Sequence, residues 1–358
     1  MSERPLCTSI FVAHSESDEP HGVRYCHPLS IKLASTGNLA AWHALLEGYD
    51  MRSTVFGKTG LAVSRLSMGC NRLGDAGVDP AVWPPIVQRA LDLGVTFFDT
   101  ANSYNDGRSE DVLAAVIGSD RPDVVIATKA GMAMGGDNWA GRSFFADRLR
   151  EWIEGSLIRL NRQSLDMFML HSPSADQLDT EDWADAIQPL RLDGTIKSWG
   201  ISTHDHASGI RAIQLGAELL QLEYGILSPS AEDELLPLAQ KDDVGIMVRT
   251  PLARGLLSGK FRAGETIPSD QQWRRPKGDA LQTRLERVEQ LRFLEREGQT
   301  MAQAALRWVL KHPAVHCVIP GARTVDQLEA NVEAINGDLR PDEYERISEL
   351  QREWKQAV

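Results

Sequence analysis

The chain has 358 residues, 42% hydrophobic and 25% charged, with a formal net charge of −12; that length suits one large α/β barrel or two ordinary domains. The acidic balance argues against a nucleic-acid or anionic-membrane partner, since both need a basic surface, but leaves room for a local basic pocket. The cysteines (Cys7, Cys26, Cys70, Cys317) show no Cys-x-x-Cys spacing, no apolar run reaches membrane-span length, and the first residues lack the pattern of a secretory signal, all of which fits a cytoplasmic protein with reduced thiols.

Residues 1–50 carry scattered His, Ser, Pro and charge without a sustained period. They are expected to be a disordered extension or a start-site artefact, with the folded domain (51–358) opening at Met51. The alternative is a short packed helix in LAAWHALLEGY (39–49), where Leu39, Trp42, Leu45 and Leu46 have helical spacing. Next, Val55-Phe56 and Leu61-Ala62-Val63 flank Gly57-Lys58-Thr59-Gly60, which predicts a β-hairpin. Strands are predicted at Arg65–Gly69, Thr96–Asp99, Val124–Lys129, Met167–His171, Trp199–Ser202, Leu219–Leu222, Gly245–Arg249 and Val315–Ile319. Helical patterns fall between most of them. The clearest is 147–161, where Leu149, Trp152, Ile153, Ser156, Leu157 and Leu160 form one stripe. Ser109 and Thr324 are expected to cap two others. The acid-rich run SEDVLAAVIG (109–118) is expected to present a solvated face. Eight β-then-α units with short connections favour a closed (β/α)8 barrel, and no G-x-G-x-x-G marks an open dinucleotide-binding sheet.

The chemistry lies where apolar runs end in a polar group. TFFDTANSY (96–104), VVIATKAG (124–131) and MFMLHSP (167–173) place Asp99, Tyr104, Lys129 and His171 at successive strand tips, and barrel enzymes keep their chemistry at such tips. A tyrosine is a poor acid near neutrality unless its anion is stabilised. An ammonium beside it lowers its pKa, and a carboxylate behind keeps the ammonium oriented and charged. Tyr104 therefore reads as a proton donor to a carbonyl oxygen, Lys129 as its partner, Asp99 as the orienter, and His171 as a donor positioning the substrate. Taken singly, each has a structural reading: a rim tyrosine, a buried ion pair, a core histidine. His204-Asp205-His206 lacks a nearby third ligand, so no metal site is expected. Ser172 and Ser174 have no nucleophile-elbow context.

The segments GKTGLAVSRLSMGCNRLG, FFDTANSYNDGRSEDVLAAVI, IATKAG, LHSP, WGIS, QLEY, TPLARGLLSGK, TMAQAALRWVL and VIPGARTVDQLEAN stand in the order found in aldo-keto reductases. The chain resembles that family from residue 52 to about 350. The resemblance implies a barrel closed at its bottom by the N-terminal hairpin, with NADP(H), in preference to NAD(H), across the top. It also implies the four roles given above for Asp99, Tyr104, Lys129 and His171. Ser202 and Gln221 would hold the nicotinamide carboxamide. Leu252, Ser258 and Lys260 would wrap the pyrophosphate. Gly321 and Arg323 would lie at the adenosine 2′-phosphate, with Gln327 and Asn331 reaching phosphate and adenine. The chain departs from many members at Thr203, where Asn is common, at Arg249, where an aromatic stacks under the nicotinamide, and at Ala330, where Glu is common. The expected activity is NADPH-dependent reduction of a small-molecule aldehyde or ketone. The alternatives are a non-catalytic NADPH-sensing regulatory subunit and a sugar or alcohol dehydrogenase working in oxidation. The substrate-selecting loops (131–143 and 262–280) carry no readable code.

Overall fold

The computed structural model describes residues 53–119, 121–135, 141–265, 267 and 276–356. The expectations for residues 1–50, Met51 and the alternative helix at 39–49 lie outside these residues. Eight parallel strands follow one another in chain order: β3 (Met68–Gly69), β4 (Phe97–Asp99), β5 (Val125–Ala130), β6 (Met167–His171), β7 (Trp199–Ser202), β8 (Leu219–Glu223), β9 (Gly245–Arg249) and β10 (Cys317–Val318). Bridges Leu66–Val318 and Gly69–Gly321 join the first strand to the last. There the Ser67 N–H donates to the Val318 carbonyl at 2.9 Å and the Gly69 N–H to the Pro320 carbonyl at 3.2 Å. The sheet thus closes into the expected barrel. The two seam strands are shorter than predicted, because their contact consists of isolated bridges and Pro320 has no N–H to extend the ladder.

Side chains along each strand alternate between lumen and helical layer. Phe97, Val125, Ala127, Met167, Met169, Leu219, Met247 and Cys317 share a lumenal cluster. Phe98, Ile126, Phe168, Leu170, Leu220, Ile246 and Val248 pack outward with the helices. A residue two beyond a lumenal side chain therefore faces the same interior one layer nearer the mouth.

The bottom is plugged as expected. The antiparallel strands β1 (Ser53–Val55) and β2 (Ala62–Ser64) flank the turn Gly57–Thr59. Phe56, fully buried, joins the lumenal cluster, 5.9 Å from the Phe97 ring and 5.3 Å from the His316 ring. A Cβ on Gly245 would stand 2.3 Å from the Phe56 ring, so β9 can begin beside the plug only with glycine there.

The helix Ala146–Leu160 ends at a left-handed Asn161, close to its predicted bounds. Thr324 caps the helix Val325–Val332 by accepting from the Gln327 N–H. Two expectations fail. Ser109 lies inside the helix Arg108–Ile117 behind a left-handed Gly107, and its hydroxyl donates to the Cys70 carbonyl at 2.8 Å instead of capping. The second fails in part: Asp111 is exposed, but Glu110 is fully buried and accepts from the Thr128 hydroxyl at 2.6 Å and from Arg159 Nε at 2.7 Å. Among the described residues no helix is long and apolar enough to cross a membrane.

His316 links the plug to pH. Its Nδ1 accepts from the Ile246 N–H at 3.0 Å, and burial, assisted by the nearby Arg65 charge, pushes its pKa down to about 4. The unfolded chain binds the proton near pH 6.5. Stability is therefore fully present above that pH and falls as pH drops toward 4, by as much as about 3 kcal/mol. His316→Gln keeps an acceptor without a titration, so its urea midpoint should change less between pH 7 and pH 5 than that of the wild type. An equal loss in both proteins would clear His316 of this role.

Candidate active site

The alternation of the strands assembles the site. Asp99 lies two beyond Phe97, Lys129 two beyond Ala127, His171 two beyond Met169, and Gln221 two beyond Leu219, so all four face the lumen at the mouth. Asp99, Lys129, His171 and Gln221 are each under a tenth exposed. Tyr104 comes from the turn after β4 and is half-buried.

Lys129 is the hub. Its Nζ lies 2.7 Å from Asp99 Oδ1, donates to the Thr100 carbonyl at 2.7 Å and reaches the Tyr104 hydroxyl at 3.2 Å. The Tyr104 and His171 rings meet edge-on, 5.8 Å between centroids. The four residues predicted from the sequence are therefore brought together. Burial pushes the Asp99 carboxyl above its ordinary range, opposed by Lys129 and Gln221. Burial alone would lower Lys129, but Asp99 and Tyr104 outweigh it and hold the ammonium above its usual value. Tyr104 departs from simple expectation: desolvation outweighs the lysine and raises the phenol pKa. The phenol thus stays protonated at neutral pH, and Lys129 offsets part of the cost of its ionisation.

The residues predicted to meet a cofactor are spread along the same rim. Ser202 and Gln221 are register partners on β7 and β8. The Ser202 hydroxyl donates to Gln221 Oε1 at 2.9 Å, and Gln221 Nε2 donates to Asp99 Oδ1 at 2.7 Å. Arg249, the last residue of β9, pairs with Glu223 at 3.5 Å and donates to the Thr203 carbonyl at 2.9 Å. The Thr203 hydroxyl is turned locally onto the Asp205 carbonyl at 2.6 Å. Asp205 in turn caps the helix His206–Gln214. Leu252 opens an irregular segment with positive φ at Ala253, Arg254, Gly255 and Gly259. Ser258 and Lys260 line a cleft of about 480 Å³ with Arg296 and Thr300, and the Ser258 hydroxyl is buried there without a hydrogen-bond partner among the described residues. Gly321 pairs with Gly69 at the seam. Arg323 is exposed, and its N–H donates to Gln327 Oε1 at 3.0 Å. Gln327 is thus spent on a local cap, while Asn331 is buried one turn further on.

Sequence reasoning missed three charged residues here. Glu223 is shared by Arg249 and Arg254, at 3.5 Å and 3.4 Å, and the two arginines outweigh burial to keep its carboxyl below the usual range. Arg72 follows β3 across the seam from Arg323. Burial and the Arg323 charge lower its pKa, while Asp75 supports it at 3.0 Å. Placing β3 beside β10, which barrel closure demands, was the signal that could have paired these arginines.

The model of the aldo/keto reductase family matches residues 65–352. The chain is 32% identical over 322 residues to a putative voltage-gated potassium channel subunit beta of Schizosaccharomyces pombe, covering 82% of this chain and 91% of that one. It is 31% identical over 323 residues to L-glyceraldehyde 3-phosphate reductase of Escherichia coli, with the same coverage of both chains. Among solved structures, an aldo-keto reductase from Klebsiella pneumoniae in complex with NADPH superposes with a TM-score of 0.65 at 25% identity, over 84% of this chain and 94% of that one.

The buried pair makes a stability prediction. Lys129→Met strands the Asp99 carboxylate, and removing one partner of a buried pair costs about 3–5 kcal/mol. Adding Asp99→Asn removes the stranded charge and should restore part of the loss in urea unfolding at pH 7. A Lys129→Met protein as stable as wild type would show that the pair contributes nothing to the fold.

Proposed function

The chain belongs to the aldo/keto reductase family, a family of oxidoreductases, and from that premise we propose that it reduces an aldehyde or ketone to an alcohol with NADPH, Tyr104 giving the proton. The observation that carries this reading is the Lys129 ammonium bridging Asp99 Oδ1 at 2.7 Å and the Tyr104 hydroxyl at 3.2 Å.

The residues present fit NADP(H). The partnerless Ser258 hydroxyl and Lys260 in the 480 Å³ cleft offer donors to a pyrophosphate. Arg323, whose charge lowers the Arg72 pKa across the seam, and Arg72 itself suit the adenosine 2′-phosphate. Leu252 would add backbone at the pyrophosphate and Gly321 at the 2′-phosphate, with Asn331 a buried amide beyond it. Gln327 would take part only by releasing the Arg323 N–H. Ser202 and Gln221 suit the carboxamide, and the resemblance puts Arg249 under the nicotinamide face. When bound, NADPH supplies the hydride.

The protein supplies the proton and the orientation. Tyr104 passes its proton to the carbonyl oxygen as charge develops there. Lys129 stabilises the phenolate left behind, and Asp99 keeps Lys129 charged and aimed. His171 donates a ring N–H to the same oxygen and fixes the substrate. The E. coli relative's name supports an aldehyde as substrate class. The channel-subunit relative supports a second reading, a non-catalytic NADPH-sensing subunit in the cytoplasm. That reading requires tight NADPH binding with negligible turnover on a panel of aldehydes, ketones and sugars, assayed in both directions.

Tyr104→Phe should lower NADPH-dependent carbonyl reduction at least about a hundredfold, the usual scale for losing a general acid, with NADPH affinity near wild type. Near-normal turnover in that variant would remove Tyr104 as the donor.

Arg323→Ala should weaken NADPH by about 1.5–3 kcal/mol, the range of a charge-assisted contact, and leave NADH almost unchanged. Arg72→Ala should act in the same direction more weakly, since Asp75 already holds that guanidinium. Fluorescence titration with both cofactors decides: equal losses for NADPH and NADH would mean that neither arginine reads the 2′-phosphate.

A further inference from the structure

Asp99 on β4 and Gln221 on β8 stand four strands apart in the eight-stranded sheet, on opposite sides of the barrel. Their side chains nevertheless meet: Gln221 Nε2 donates to Asp99 Oδ1 at 2.7 Å across the lumen, just below the mouth. An ionised carboxylate only accepts hydrogen bonds, so the amide must turn its nitrogen to Asp99. Its oxygen then faces Ser202, which donates to it at 2.9 Å. The same Nε2 also lies 3.3 Å from the Met247 sulfur, a weak acceptor. Gln221 is 1% exposed, so losing either bond would leave a buried polar atom unpaired.

We propose that Gln221 is a positioning residue for proton transfer: its amide clamps Asp99 across the barrel and keeps the Asp99–Lys129 pair ionic, so that the cation stays beside Tyr104. This rests on the reading of Tyr104 as the proton donor. A buried carboxylate and ammonium can exist as an ion pair or, after proton transfer, as a neutral acid and amine. A donor on Asp99 favours the ionic form, because only the carboxylate accepts it fully. Without that donor the pair slides toward the neutral form, Lys129 loses its charge, and the phenolate left by Tyr104 loses its stabiliser. The Ser202–Gln221–Asp99–Lys129–Tyr104 chain also joins the edge proposed for the carboxamide to the proton donor. A ligand N–H that bonds to Gln221 Oε1 in place of Ser202 leaves Nε2 on Asp99, so the clamp persists with the ligand bound. The other charged or titratable groups around this chain are His171, Arg249 with Glu223, and the buried thiols Cys70 and Cys317.

The test is single-turnover reduction as a function of pH, with NADPH affinity measured separately, in Gln221→Met, Gln221→Glu, Ser202→Ala and Tyr104→Phe. The series is repeated in a His171→Gln background so that an imidazole titration is recognised. Gln221→Met fills the space without a donor. It should slow turnover by about tenfold and move the Tyr104-dependent limb upward by about one pH unit, the shift equivalent to that factor. Gln221→Glu should be pH-gated. Protonated, it can donate to Asp99 and recovers activity as pH falls; ionised, it opposes Asp99 and loses activity as pH rises. A merely structural side chain would show no such crossing. Should Gln221→Met fail to fold, Ser202→Ala, which frees the amide, is expected to shift the limb in the same direction by a smaller amount. The proposal is overturned if Gln221→Met changes only NADPH affinity, if Gln221→Glu keeps a wild-type pH profile, or if Ser202→Ala leaves the limb in place. Turnover retained in Tyr104→Phe would instead overturn the proton-donor reading itself.

Discussion

The Asp99–Lys129 ion pair is the constraint around which the upper half of this barrel is arranged. Two opposite charges held away from water are tolerated only if their remaining hydrogen-bonding capacity is met. The Thr100 carbonyl, the Tyr104 hydroxyl and the Gln221 amide meet it, from two neighbouring segments and one strand across the lumen. That requirement explains why polar residues crowd one layer of an otherwise apolar interior. Below them Phe97, Ala127, Met169, Leu219 and Met247 fill the lumen, and below those the Phe56 plug shuts the bottom. The charges therefore face water only at the mouth.

Much of this was legible in the sequence, for a local reason. Strands β6, β7 and β9 follow their predicted bounds because each is a short apolar run closed by a polar residue or glycine. Asp99, Lys129 and His171 were found by the same rule. The alternation between lumen and helical layer was also present in those runs, concealed because both faces of a barrel strand are apolar. The failures are non-local. Ser109 and Glu110 read as a cap and a solvated acid because their partners lie far along the chain, in Cys70, Thr128 and Arg159. The Gln221–Asp99 bond joins residues 122 positions apart, and no periodicity reports that distance.

The half of the site expected to hold a cofactor was less legible, because its polar side chains bond to one another. Ser202 faces Gln221, Arg249 faces Glu223, and Gln327 closes a cap on Arg323. A residue type at a strand tip says which bonds are available but not which partner takes them. Ser258 is the contrary case: its buried hydroxyl lacks a partner among the described residues, and it stands in the cleft where the resemblance places a pyrophosphate.

The distribution of charge ties the two halves together. The chain carries a formal charge of −12, yet the rim gathers cations. Glu223 answers two arginines, Asp99 answers Lys129, and the Arg323 charge disfavours that of Arg72. Like charges held together in a folded protein raise its free energy unless an anion joins them, and here Glu223 and Asp75 are anions that do so. The same field bears on the chemistry. It favours negative charge developing at the mouth, beside the Lys129 ammonium and the Tyr104 hydroxyl 3.2 Å from it.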